Sequence, residues 1–429
     1  MSMGKAMSIM LTLGIVVFLL AKLIPEKITL LTPVNKLKKT PVQENAYYDY
    51  LKASKNYIDL PELEEKELAP YISLCENLQR WDSEFITEVL EKNKLSLSLW
   101  DKAAEKQLCI FPVVLSDVQL LKHLANARDI AHLNVLNIYN LISKQKYDDI
   151  TALIKKLLIN ASHYTDNAEC MVTLLVGQGL KSSTYQYIRT ILTLDILDTA
   201  ELQKLRDLML VHKMNPRSCP KAIKADVYVT KKYLYDFERG QRTLTELDQY
   251  YDKFHDSDVA RINSGAGFLD AKKSMRACDE YLAKLLQNER KYIIDQDPNL
   301  DDRIYPKAKN KFIDIFNNGI GKIMVEALTT LGSIPKINAL MKINYSLNLT
   351  YIACEIYKKE HGEYPEKLAD LCPSILKKVP IDAYDGKDIR YEKGVRIYTA
   401  YPGETSRLTE ISLVEDNDCT KLLNVQIKK

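Results

Sequence analysis

The sequence predicts a mainly α-helical protein: an N-terminal transmembrane helix, an irregular α-helical body and a small C-terminal α+β module with a β-hairpin. Three observations carry that prediction. Residues 6–21 read AMSIMLTLGIVVFLLA, an apolar run without charge or proline. From about residue 44 to 346 apolar residues recur at spacings of three and four, with no strand-like alternation. Past residue 380 the period shortens to two and glycine-bearing turn signals appear.

The apolar run covers roughly 24 Å at about 1.5 Å per residue, and Leu23 and Ile24 extend it to about 30 Å if Lys22 snorkels. A cleaved signal peptide needs small residues one and three positions before the cut. Ala21 would serve, but Leu19 fills the other place. The expectation is therefore an uncleaved anchor, residues 1–26, meeting the lipid bilayer through residues 6–24. Counted alone, Lys22, Lys27, Lys36, Lys38 and Lys39 against Lys5 would keep the C-terminal side inside the cell. An apolar N-terminal segment followed by one very long domain, however, usually acts as an export signal. The expectation is a membrane crossed once with the bulk of the chain exported, which in a bacterium would mean the inner membrane and a periplasmic body.

At 429 residues the chain suffices for two domains or one large one. A hydrophobic fraction of 46% excludes wholesale disorder. Net charge is only +3, with lysines and acids intermixed, which is a solvated surface and not a nucleic-acid footprint. Fourteen glycines and fifteen prolines favour long helices over many tight turns. Eight cysteines are spread singly, with no C-x-x-C pair, so neither a zinc ribbon nor a thioredoxin-like site is expected. Disulfides and buried free thiols explain that spacing equally well. Cys354 with Cys372 is the first pair to test, because both fall in one small module.

Residues 27–43, with Pro33, Pro41 and scattered lysines, read as a linker. The helical body follows, residues 44–346, opening with Tyr47, Tyr48 and Leu51 recurring on one side. Ser116-x-x-Gln119, Asp198-x-x-Glu201 and Thr243-x-x-Glu246 are helix-start signals. Helical spacing marks Tyr147 to Leu158 and Met171 to Leu192; breaks are expected at Arg217–Pro220 and Asp256–Asp258. A faint helix-turn-helix likeness around Lys146–Asp149 does not recur at a fixed period, so a repeat array is not expected. Asp295, Asp297 and Asn299 are spaced like the start of a calcium loop. Leu300 occupies the glycine place and Pro306 the glutamate place, so the reading is a solvated acidic loop.

The C-terminal module, residues 347–429, opens with an amphipathic helix bearing Leu349, Ile352, Ala353, Ile356 and Tyr357 on one face. Gly362 ends it, and Tyr364 to Leu371 form a short second helix. Asp385-Gly386 signals a turn, Asp388 to Glu392 and Val395 to Tyr401 pair across Lys393-Gly394, and Leu408–Glu415 and Leu422–Ile427 supply candidate further strands.

The run Tyr357 to Tyr364-Pro365, Leu368, Leu371, then Val379-Pro380-Ile381-Asp382-Ala383-Tyr384-Asp385-Gly386 and Tyr391 resembles the globular end of type II secretion pseudopilins. That family has a helix, a G-x-Y-P corner, L-x-x-L, a P-x-D-P-aromatic turn and a hairpin. The resemblance covers residues 347–403 and implies a pilin-like α+β fold. Ala383 stands in the family's proline place, and Thr399 to Gly403 replace the family's calcium-loop ending. Ile9 stands where a prepilin has its glutamate, which argues against prepilin processing and pilus assembly. The body is similar to uncharacterised membrane-anchored bacterial envelope proteins. It shares with them a tyrosine-rich first helix (Asn45 to Ala53), a C-x-F-P segment (Cys109 to Pro112), an L-V-G helix (Leu175 to Gly177) and a late segment, Asn318 to Lys322. That likeness implies no activity.

No residue is assigned a catalytic, cofactor-binding or metal-binding role from the sequence. Six histidines, at 123, 132, 163, 212, 255 and 361, include no metal-ligand pair with a carboxylate between. Gly321-Lys322 lacks a P-loop's partners, Gly265-Ala266-Gly267 lies in a helical setting, and no G-x-S-x-G elbow occurs. The expected function is a non-catalytic, membrane-anchored scaffold binding other envelope proteins, with self-association compatible. The alternative is a tethered hydrolase whose metal or acid/base site gathers His255, Asp256, Asp258 and Asp295–Asp302.

Overall fold

A computed structural model describes residues 41–59, 83–111, 119–240, 269–300, 331–402 and 409–413, with Gly321, Val325 and Leu328 besides. The expected anchor at residues 6–24, most of the linker, the Ser116 and Thr243 start signals, His255–Asp258, Asp301–Asp302 and Leu422–Ile427 lie outside the described residues. Among the described residues no helix is long and apolar enough to cross a membrane.

Ten α-helices and one small sheet are described: α1 Ala46–Lys55, α2 Ser83–Lys92, α3 Lys94–Ala104, α4 Gln119–Ser143, α5 Tyr147–Asp166, α6 Met171–Thr193, α7 Thr199–Val211, α8 Ser218–Glu238, α9 Ala271–Glu289 and α10 Ile334–His361. The mainly helical expectation is met, and the start signal at Asp198 works as read, its carboxylate accepting from Glu201 N–H at 2.8 Å. Arg217–Pro220, expected as a break, is where α8 begins.

Two long helices organise the packing. Both α6 and α10 run from one apolar core into another. Met171 and Leu174 of α6 and Ile334 of α10 pack with α8 and α9. Leu180 onward in α6 and Met341 onward in α10 pack with α1, α3 to α5 and α7. Where the helices pass between cores a polar rung crosses them. Gln178 Nε2 donates to Asn338 Oδ1 at 3.0 Å, Asn338 Nδ2 to Glu289 Oε1 at 2.8 Å, and Lys342 Nζ reaches the same carboxylate at 3.2 Å. These bonds offset the loss of water for most of the rung, though Gln178 Oε1 is buried without a partner.

Helix α10 was expected to begin after Leu347; it begins at Ile334, and Pro335 sits in its first turn. The amphipathic pattern hid the start, because α10 is buried nearly all round and carries Asn338, Asn344, Asn348 and Glu355 inside. The expected module boundary at residue 347 thus falls within this helix, and Ile343 and Leu347 share a core with Ile397 and Ile411 of the sheet.

Gly177 explains how α5 and α6 come close. A Cβ there would lie 2.7 Å from Thr165 N and 2.8 Å from Tyr164 Cβ, whereas at Gly179 nothing stands within 4 Å. Gly177→Ala is expected to cost about 1–3 kcal/mol by overpacking. Gly179→Ala, two residues on, should gain about 1 kcal/mol from helix propensity. Urea unfolding of both variants checks the contrast, and equal effects would refute it.

The tyrosines of α1 divide by face. Tyr47 and Tyr50 turn inward, where Tyr50 meets Trp100 (4.8 Å between ring centroids) and Tyr164 (5.0 Å), and Phe111 meets Tyr164 (4.9 Å). Tyr48 faces out. Asn45 fastens the start of α1 to the C-x-F segment, accepting from Ile110 N–H at 2.9 Å and donating to Ile110 C=O at 3.1 Å.

At the C-terminus, α10 ends at Gly362 in the left-handed region, φ 81°. The expected second helix is a single 3₁₀ turn, Leu368–Leu371. Strands β1 (Arg390–Glu392), β2 (Arg396–Tyr398) and β3 (Glu410–Ser412) form an antiparallel sheet in the order β1-β2-β3, with Tyr391 opposite Ile397 and Ile397 opposite Ile411. The hairpin falls at Lys393-Gly394 as expected, and Gly394 has φ 67°.

Candidate functional site

The residues that stand out lie on α6, MVTLLVGQGLKSSTYQYIRTILT, in which Lys181 and Arg189 are the only charges. Both turn inward. Lys181 is 0% exposed, and its Nζ donates to the carbonyl of His212 at 3.2 Å, where α7 ends and its last carbonyls lack helical partners. Burial lowers the Lys181 pKa, with Asp166 opposing that shift. Arg189 donates to Asn344 Oδ1 at 2.5 Å and to Asn348 Oδ1 at 3.1 Å, both on α10, and burial lowers its pKa to about 10. The N-terminus of α6 is met from α8 by the part-buried Asp226 carboxylate, whose oxygens accept from Met171 N–H at 3.2 and 3.3 Å. Burial raises the Asp226 pKa to about 7.

With its charges inside, α6 shows solvent a face without any. Val172 is 44% and Leu175 37% exposed, Gly179 lies beyond them, and Val176, Ser183 and Gln186 are half-buried at the edges. Depletion of charge around exposed aliphatic side chains is the compositional mark of an interface core.

The residues considered for chemistry do not assemble among the described ones. No group of three or more His, Cys, Asp or Glu able to hold a metal occurs among the described residues. Asp297 is spent on its own turn: its N–H donates to Asn288 Oδ1 at 2.8 Å and its Oδ1 accepts from Asn299 N–H at 3.1 Å. Cys354 and Cys372 are free thiols, as are Cys109, Cys170, Cys219 and Cys278. His163 is buried with Nδ1 2.8 Å from the Tyr50 hydroxyl, which itself donates to Asn160 Oδ1 at 2.7 Å. Burial lowers the His163 pKa to about 4, against a hydrogen bond to the Lys106 backbone. His361 stacks on Tyr357 at 3.9 Å.

Ser162 Oγ stands 3.4 Å from His212 Nδ1, the geometry closest to a nucleophile and base. Ser162 lies inside α5, however, where the neighbouring amides are committed to the helical ladder and offer no oxyanion donors. Its hydroxyl instead links α5 to the end of α7.

Sequence reading passed over Lys181, Arg189 and Asp226. The first two had a signal, two lone cations in an otherwise uncharged helix of 23 residues, but nothing in that pattern turns them inward. Asp226 had none. No family model, curated protein or solved structure matches the chain.

Proposed function

We propose that this protein is a non-catalytic, membrane-anchored scaffold of the bacterial envelope, held by residues 6–24, whose helical body binds other envelope proteins and whose C-terminal part is a pseudopilin-like module. The observation that carries the protein-binding reading is the charge-free outer face of α6 around Val172 and Leu175. The pseudopilin-like reading rests on its motif residues, and it is supported by the order of helix, Tyr364-Pro365 corner, Asp382–Gly386 turn and hairpin.

Charging that face should abolish partner capture while the fold stands. In Val172→Asp/Leu175→Lys, both side chains point to solvent, so melting should match the wild type. Affinity capture from detergent-solubilised membranes is expected to return a stable partner, or a second copy, with the wild type and to lose it with the double variant. A wild type that captures nothing, or a double variant that captures the same partner, removes the proposal.

A further inference from the structure

The first described helix after the apolar N-terminal run in sequence has its own composition. Helix α1 shows solvent Tyr48, Lys52 and Lys55, spaced at i, i+4 and i+7 along one side. Its acid, Asp49, turns inward and pairs with Lys106. Val42, just before the helix, is 51% exposed, and Leu108, 36% exposed, is brought alongside by the hydrogen bond from Ala46 N–H to its carbonyl at 2.8 Å. The result is a patch of two aliphatic side chains, one tyrosine and two lysines on and beside the first described helix. Exposed Glu44 and Glu105 flank it, so attraction to an acidic surface falls to the lysines of α1.

From Ile24, the last residue of the apolar run, to Pro41 is a step of 41 − 24 = 17 residues, which spans at most about 60 Å when fully extended. Lys36, Lys38 and Lys39 lie within that step. Tyrosine settles at headgroup level with its ring toward the acyl chains and its hydroxyl in water, and lysine lays its stem on apolar surface while its ammonium meets anionic headgroups.

We infer that the outer face of α1, with Val42 and Leu108, rests on an anionic phospholipid surface, so that the body lies against the membrane instead of standing away from it. The inference rests on the anchoring proposed above, and the two are separable by experiment. The full chain is reconstituted into vesicles of phosphatidylcholine alone, or of phosphatidylcholine with phosphatidylglycerol, each carrying brominated acyl chains that quench nearby tryptophan. Tyr48→Trp adds a reporter to the native Trp81 and Trp100, read as the difference from wild type.

In vesicles with phosphatidylglycerol the added emission is expected to shift to the blue and be quenched. Both effects should weaken with phosphatidylcholine alone. Lys52→Glu/Lys55→Glu in the Tyr48→Trp background should lose them while the chain still floats with the vesicles. A reporter with the emission of water-exposed tryptophan in a chain that floats overturns the docking and leaves the anchor standing. Equal quenching in both lipids, or quenching that survives the charge reversal, overturns the anionic recognition. A chain that does not float overturns the anchoring itself.

Discussion

Asp382→Ala is expected to lower stability by about 3–5 kcal/mol and to loosen the C-terminal module, because the variant strands three donors and leaves the part-buried Arg390 guanidinium with Asp385 alone. Asp382 is fully buried, and both its carboxylate oxygens accept hydrogen bonds. Its Oδ1 accepts from Tyr384 N–H at 2.8 Å; its Oδ2 accepts from the Thr399 hydroxyl at 2.6 Å, from Ala400 N–H at 2.9 Å and from Arg390. The Asp382 backbone closes the same turn, its N–H donating to Lys387 C=O at 2.8 Å and its C=O accepting from Gly386 N–H at 2.9 Å. One carboxylate therefore ties the Asp382–Gly386 turn to β1 and to the residues that follow β2.

Asp385 shares Arg390 from the outer side, and that hydrogen bond holds its pKa below the usual carboxylate value. Asp385→Ala keeps the Asp382 hub and should cost no more than about 1 kcal/mol, as a partly exposed ion pair does. Urea unfolding of the two variants, with amide exchange followed across residues 382–400, separates the roles. An Asp382 variant within the range of the Asp385 variant would show that the turn holds without its hub.

The same turn shows how far the sequence could be read. Pro380-Ile381-Asp382-Ala383-Tyr384-Asp385-Gly386 was recognisable as a turn, and Gly386 takes φ 76° as Asp-Gly turns require. What the string could not show is its partner from nearly a hundred residues earlier. Ile293 N–H donates to Ala383 C=O and Ile294 N–H to Tyr384 C=O, each at 3.1 Å, and the Tyr292 ring packs so close that a Cβ on Gly386 would lie 2.5 Å from it. Local signals such as Asp198, Gly362 and Gly394 were legible because each acts within a few residues of itself. The course of α10 was not, since a helix buried all round has no polar face to set its period against. The charge-free face of α6 was visible as composition, but its direction depended on where α5 and α10 lie.

Stability is expected to climb from about pH 4 to 6.5, where two buried histidines outweigh one buried carboxylate, and to dip slightly between 6.5 and 7, where the carboxylate acts alone. His163 and His132 have pKa values lowered from 6.5 to about 4, in both by burial first, with Arg128 adding to the effect at His132. Between those values the unfolded chain binds more protons than the folded one, so the stability these histidines contribute is complete above pH 6.5 and is lost as pH falls toward 4. A shift of that size is worth about 3 kcal/mol at each site. Asp226 runs the other way. Its pKa is raised from 3.8 to about 7, so the folded state holds the extra proton, and stability is lost as pH rises from 3.8 through 7. That loss reaches about 4 kcal/mol once the carboxylate is ionised.

Asp226→Asn keeps an oxygen able to accept from Met171 N–H and removes the charge. It should therefore raise the urea midpoint most at pH 8, raise it less near pH 5, leave it nearly unchanged below pH 3.8, and steepen the climb between pH 4 and 6.5. His163→Gln should remove about half of what the histidines contribute between pH 4 and 6.5, leaving His132 nearly balanced by Asp226, though with its own loss of stability from the bond to Tyr50. A midpoint at pH 8 that falls in Asp226→Asn would show that the ionised carboxylate holds α6 to α8, and that its charge at the helix N-terminus outweighs the cost of burying it.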